Sequence, residues 1–180
     1  MRPLPVYALG SKKPKLHPSV MLAPTAVVIG SVTVGPNTSI WPGAVVRGDY
    51  GWIRIGANCS LQDNVVLHCS AENPCVVGNG VTVAHSAIVH ACRIADECLV
   101  GAGSIVFDGA RVGRHSILGI GAVIPGGKRI PPRSVAVGIP AQVARRTTTA
   151  DVKAIKESYK AYVEMSRRYV RSGTFPTAPR

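Results

Sequence analysis

Aliphatic side chains recur at every sixth position along most of this chain. The series runs Leu16, Leu22, Val28, Val34, Ile40 and Val46, slips by three residues, and resumes at Ile55, Leu61 and Leu67. After a short loop it continues at Val77, Val83 and Val89. One residue is then dropped, and Ile94, Val100, Val106, Val112, Leu118, Ile124, Ile130 and Ala136 follow without interruption, twenty units of six in all. A hexapeptide period is the signature of a parallel β-helix, in which each unit forms one flat side and three units one triangular coil. The aliphatic residue then points inward. Four places later stands a small or β-branched residue, as at Val20, Ala26, Ala44, Val65, Ala87 and Ala122, the size a narrow triangular interior accepts. Cys59 and Cys98 fall at this same position and read as core filling rather than ligands. A chance pattern in a Val- and Gly-rich β-sandwich would not sustain eight uninterrupted units.

The repeat ends near Pro140, and a helix is expected after it. Thr148 with Asp151 three residues on forms a capping-box pattern, and Val152, Ile155, Tyr159, Tyr162, Val163, Tyr169 and Val170 keep a helical apolar stripe until Gly173 and Pro176 stop it. One helix cannot bury such a stripe alone, so it should lie along a side of the β-helix, its own or a neighbour's, with the tyrosines as packing residues. The expected organisation is an N-terminal extension over 1–15, the β-helix over 16–141, and a C-terminal helix and tail over 142–180.

A chain of 180 residues suffices for one domain with a sizeable core. Five cysteines, an odd number, and no apolar leader after Met1 point to a reduced, cytoplasmic protein, and no apolar run approaches the roughly 20 residues of a membrane span. The net charge of +12 is lopsided: residues 128–180 hold twelve Lys or Arg against Asp151, Glu157 and Glu164. No aromatic RNA-binding signature or helix-turn-helix pattern accompanies them, so the basic segment reads as a solvated helix face, with neither nucleic acid nor membrane as partner.

Register turns the repeat into a candidate site. The units starting at Val46, Leu67, Val89 and Val106 share one side, being three units apart, so Arg47, His68 and His90 form an outward row with coils about 4.8 Å apart. His68 and His90 can share an ion. The units starting at Ile40, Leu61, Val83 and Val100 share another side, where Asp63 and His85 occupy the third position of successive coils, Gln62 stands beside Asp63, and Trp41 lies one coil below Gln62. His85 projects from a different face than His68 and His90, so a second chain must bring it, and a triangular cross-section makes a threefold ring the natural closure. Three neutral imidazoles leave a tetrahedral zinc with one position for water, the catalytic pattern. A zinc-bound water with its pKa lowered to roughly 7 could attack an electrophilic carbon such as that of carbon dioxide. Arg47 and Asp63 would then lie on opposite sides of the interface, where they could pair. His17 and His115 stand outside the pattern.

The segments Val45-Val-Arg-Gly-Asp49, Leu61-Gln-Asp-Asn-Val-Val-Leu-His68 and Val83-Ala-His-Ser-Ala-Ile-Val-His90 closely resemble the motifs of γ-class carbonic anhydrases and their bacterial relatives. The resemblance runs from about Leu16 to the terminal helix. It implies a left-handed β-helix, a homotrimer, and hydration of carbon dioxide to bicarbonate by a metal-bound hydroxide at the subunit interface. It further implies His68, His85 and His90 as ligands of Zn2+, or of Fe2+ or Co2+. Gln62 matches the residue that positions the hydroxide, and Arg47, Asp49 and Asp63 match polar residues that order the interface and pocket. The acidic proton-shuttle loop of the best-studied form is replaced here by Ser70-Ala-Glu-Asn-Pro74, in which Glu72 is the one acid that could move the proton, and Tyr50 stands where some members carry Glu. Two rival readings remain at this level: a hexapeptide acyltransferase or thioesterase acting on coenzyme A esters, and a non-catalytic metal-binding scaffold subunit.

Overall fold

The computed structural model describes residues 5–178; the first four residues of the expected N-terminal extension and the last two of the tail lie outside them. The chain winds into a parallel β-solenoid of stacked triangular coils, each side a short strand pairing in register with the strands one coil below and above. The repeat residues meet as expected: Val46, Leu67, Val89, Val106 and Ile124 stack on one wall, Ile55, Val77, Ile94, Val112 and Ile130 on a second, and Ile40, Leu61, Val83, Val100 and Leu118 on the third. All of these are buried, and each such side chain removed from water contributes roughly 1.5–3 kcal/mol before chain entropy is charged against it. Cys59 and Cys98 sit inside with them, their thiols donating to the carbonyls of Gly78 and Gly113, and burial pushes both up to about 12.

What distinguishes the walls is their outward residues, and they are named accordingly below. The histidine wall carries His68 and His90. The arginine wall carries Arg93, Arg111 and Arg129 in register. The helix wall is covered by the single helix, Thr149–Arg171, which packs against the strands at Met21–Leu22, Ser39–Ile40, Ser60–Leu61 and Thr82–Val83 of its own chain. Small outward residues make room for it. Ser39 and Ser60 accept hydrogen bonds from the Trp41 indole at 2.9 and 3.0 Å, and Tyr162, Tyr169 and Phe175 meet the indole edge-on. The capping box is closed: the Thr148 hydroxyl accepts from the Asp151 N–H at 3.1 Å and the Asp151 carboxylate accepts from the Thr148 N–H at 2.7 Å.

Three features go beyond the repeat. Val6–Tyr7 and Lys15–Leu16 already pair in parallel with Val27–Val34 and begin the stack. Ala141–Arg146 is a strand, not the start of a helical segment; it turns back antiparallel on Ser134–Gly138 and covers the edge of the last coil, which would otherwise offer unpaired backbone groups. The three-residue slip becomes a bulge in the long strand Val45–Ile55: pairing with Val27–Val34 skips from Gly30↔Gly48 to Val32↔Ile53. Glycine is needed at its root, since a Cβ on Gly48 would come within 2.5 Å of the Ser31 carbonyl oxygen. Among the described residues no helix is long and apolar enough to cross a membrane.

Candidate metal centre

The site begins with two stacked strands, Val66–His68 and Ile88–His90, whose register sets His90 directly over His68. Their rings face each other with His68 Nδ1 and His90 Nε2 3.0 Å apart. Each ring's other nitrogen is committed to a carboxylate. His68 Nε2 donates to Asp49 at 2.7 Å, and His90 Nδ1 donates to Asp108 at 2.5 Å. Burial works against the charge on Asp49, but the hydrogen bonds from His68 and from the backbone N–H groups of Tyr50 and Asp49 itself, with Arg47, outweigh it and hold its carboxyl down at about 2. An ionised carboxylate only accepts, so the N–H of His68 is on Nε2, and by the same geometry that of His90 is on Nδ1. The two nitrogens that face each other therefore both present lone pairs.

Two lone pairs at 3.0 Å repel unless a cation or a proton lies between them. Two nitrogens bound to one tetrahedral zinc at about 2.0–2.1 Å would stand roughly 3.3 Å apart, close to what the rings already show. Carboxylate–imidazole–metal orientation of this kind fixes the tautomer and the ring direction of a ligand histidine. The donor set thus fits a zinc-type ion. Among the described residues no third His, Cys, Asp or Glu of the same chain completes the group.

His85 lies elsewhere, on the corner that leads from the helix wall into the histidine wall. It is the second residue of a tight turn closed by Ala87 N–H to Ala84 O at 3.1 Å, with Ser86 at φ 59°, and Asp63 holds the equivalent place one coil below, before Asn64 at φ 59°. Such turns aim the side chain away from the coil. His85 is 55% exposed, donates from Nδ1 to Asp63 at 2.9 Å, and so keeps Nε2 with its lone pair outward. His68 and His90 stand at the far edge of the histidine wall from this corner. Within one chain the structure brings His68, His90, Asp49 and Arg47 together and leaves His85 and Asp63 as a separate pair.

The remaining expected residues are placed as follows. Arg47 donates from one guanidinium nitrogen to Asp49 of its own chain, and Asp63 is engaged by His85, so within one chain both already have partners. Gln62 is 3% exposed at the foot of the Asp63 turn, next to Trp41. Glu72 is exposed on its loop beyond His90, where it lines a cavity of about 150 Å³ with Arg93 and Arg111. Two residues escaped the sequence reading. Asp108 orients His90, and Phe107 stacks on the His90 ring at 4.9 Å between centroids. Both were legible from register, since Val106 pairs with Val89 and so sets Phe107 over His90. His17 and His115, set aside from the pattern, bond to Ser19 and Glu97 respectively.

Comparisons with known proteins identify the fold and the family. Residues 13–48 match the family model of bacterial transferase hexapeptide (six repeats). The chain is 40% identical over 148 residues to the probable carbonic anhydrase of Methanocaldococcus jannaschii, covering 82% of this chain and 93% of that one. It is 36% identical over 162 residues to mitochondrial gamma carbonic anhydrase 2 of Arabidopsis thaliana, covering 87% of this chain but spanning only 58% of that longer protein. Among solved structures, a hexapeptide transferase family protein from Anaplasma phagocytophilum superposes with a TM-score of 0.89 at 34% identity, over 94% of this chain and 99% of that one.

Proposed function

Since this chain belongs to the γ carbonic anhydrase family of hexapeptide-repeat proteins, we propose that it is a metal-dependent enzyme hydrating carbon dioxide to bicarbonate, at sites shared between the subunits of a homotrimer. The facing lone pairs of His68 and His90, each held by its own carboxylate, are the observation that supports this most. His68 and His90 of one subunit and His85 of the next would hold a zinc-type ion, or Fe2+ or Co2+ with the same donors. When bound, such an ion supplies Lewis acidity and lowers the pKa of a water to roughly 7.

The chain's own residues do the rest. Asp49, Asp108 and Asp63 fix the three rings and their tautomers. Gln62, at the foot of the Asp63 turn one coil below His85, would offer an amide to a substrate or product oxygen. Arg47, half-exposed and anchored on Asp49, supplies positive charge where an anionic product forms. Glu72, on the exposed loop beyond His90, would pass a proton to solvent.

Assembly is supported by outward chemistry. Beside the histidines on the same wall, Val27, Val45, Val66, Ile88, Ile105 and Val123 form an in-register, half-exposed aliphatic file. Above the helix, the helix wall presents Leu99 and Ile117, and on the His85 corner Ile120 is 86% exposed. Joining these two apolar surfaces around a threefold axis would carry His85 of one subunit toward His68 and His90 of the next.

The test is metal content after anaerobic purification, expected at one ion per chain. His85→Ala should abolish binding while the far-ultraviolet circular dichroism and melting curve stay those of the folded solenoid. Mixing it with His68→Ala should restore part of the metal and of the carbon dioxide hydration read by stopped flow. Full metal retention in His85→Ala, or no restoration once subunit exchange is demonstrated, rejects the shared site. A second reading rests on one observation: His85 with Asp63 is an oriented, exposed base, the arrangement an acyltransferase would use without metal. Transfer from an acyl-coenzyme A by metal-stripped protein would favour it.

A further inference from the structure

The arginine wall has no assigned role. Its outward file reads Lys15, Thr33, Arg54, Val76, Arg93, Arg111 and Arg129, each paired in register with the next. Five of these seven are basic and none is acidic. Like charges directly opposite one another on neighbouring strands destabilise a sheet, and surfaces that serve only solubility intersperse both signs. The ion pairs among the described residues engage Arg47, Arg114, Arg145, Lys153, Lys156, Arg167 and Arg171, and none of the five. Four of the five are arginine, whose planar fork pairs two-pronged with carboxylates and phosphates where lysine acts as a point charge.

Beside this file runs a second one, His17, Gly35, Gly56, Gly78, Ala95, Gly113 and Pro131, small over most of its length. Coil stacking demands it: a Cβ on Gly78 would lie 2.4 Å from Asp96 Oδ1, and one on Gly113 2.4 Å from the Pro132 nitrogen. These small residues are wedged against the neighbouring coil, and the guanidinium groups project beside them without an ion pair among the described residues. From Lys15 to Arg129 are six coil steps, about 29 Å at 4.8 Å each, the reach of roughly nine extended residues.

We propose that the arginine wall is a docking surface for an acidic protein partner, a stretch of roughly nine extended residues rich in Asp and Glu that lies along the file and whose carboxylates pair with Arg54, Arg93, Arg111 and Arg129. Single-stranded nucleic acid is disfavoured because channels for it add stacking rings to the basic groove, whereas of the two rings next to this file Trp52 already has the Arg54 guanidinium 5.5 Å above it and His17 is hydrogen-bonded to Ser19. A bilayer is disfavoured because the charges form a single file along the solenoid axis, where a headgroup surface would present a plane. The aliphatic file of the histidine wall and the helix over the helix wall leave this as the one wall whose outward residues call for neither.

The experiment measures fluorescence anisotropy of a labelled nonapeptide with Glu at alternate positions, added to the full-length protein at low and at physiological salt. Saturable binding is expected, lost when Gln replaces Glu in the peptide and weakened at least tenfold by combined Arg93→Gln, Arg111→Gln and Arg129→Gln. Lys153→Gln with Lys160→Gln on the helix should change it less than twofold. Hydrogen exchange on the unaltered protein gives an independent check, with protection expected at Arg93–Ile94, Arg111–Val112 and Arg129–Ile130. Equal affinity in the triple arginine variant, protection confined to the C-terminal helix, or tighter binding of a single-stranded nonanucleotide or of phosphatidylserine vesicles would overturn the proposal.

Discussion

The histidine wall and the arginine wall are built alike on the inside and are opposite on the outside. Both bury one Val, Ile or Leu per coil, and the two inward files are equally shielded from water. Outward, at the position just before each buried residue, one wall sets Val27, Val45, Val66, Ile88, Ile105 and Val123, and the other Lys15, Thr33, Arg54, Val76, Arg93, Arg111 and Arg129. The hexapeptide period dictates only the inward file, so the outward file is free to encode what each wall meets. An aliphatic file next to two converging imidazoles suits protein and metal; an arginine file without ion pairs among the described residues suits anions. The third wall meets the chain's own helix, and its outward Ser39, Ser60 and Thr82 are correspondingly small and hydrogen-bonded.

The comparison breaks most completely if the outward files are interchangeable. Ile88→Arg on the histidine wall should convert the assembly to monomers by light scattering and empty it of metal, whereas Val76→Arg, the same kind of side chain at the same place on the arginine wall, should leave the mass unchanged. Inside, the walls should respond alike. Leu67→Ala on one and Ile94→Ala on the other should each cost about 2–5 kcal/mol in urea unfolding, and a large gap between them would mean that the two interiors are not equivalent. Asp108→Asn should weaken metal affinity roughly 10- to 100-fold in competition with a chelator without shifting the melting temperature, because it acts through the orientation of His90. Smallest in effect, Arg111→Gln should stabilise the fold by a few tenths of a kcal/mol at low salt, a gain that fades as salt screens the row, since it relieves like-charge contact with Arg93 and Arg129.

Much of this was legible in the chain. The six-residue spacing gave the solenoid and the order of its walls, and counting three units per coil placed His90 over His68 and His85 with Asp63. The capping box at Thr148 and the stop at Gly173 located the helix. Less legible were the features that interrupt the period. The slip at Asp49–Trp52 carries no periodic signal, yet its bulge brings Asp49 to His68, and the closing strand Ala141–Arg146 follows a cue of edge protection rather than of hexads. Asp108 holds the third place of its unit, but its bond to His90 depends on the direction of its side chain, which the period does not record.

By itself the sequence determined the interior, since a fixed period with an aliphatic residue at one position leaves a coil only one way to hide it from water. Only the tertiary structure decided which wall the helix covers, which nitrogen of each histidine carries its proton, and which carboxylate turns each ring. These depend on directions of side chains that come together from positions 18 to 22 residues apart along the chain, as Asp108 reaches His90, Asp49 His68 and Asp63 His85. A one-dimensional pattern records which coil and which face a residue belongs to; it holds no record of the angle at which two neighbouring coils present their donors.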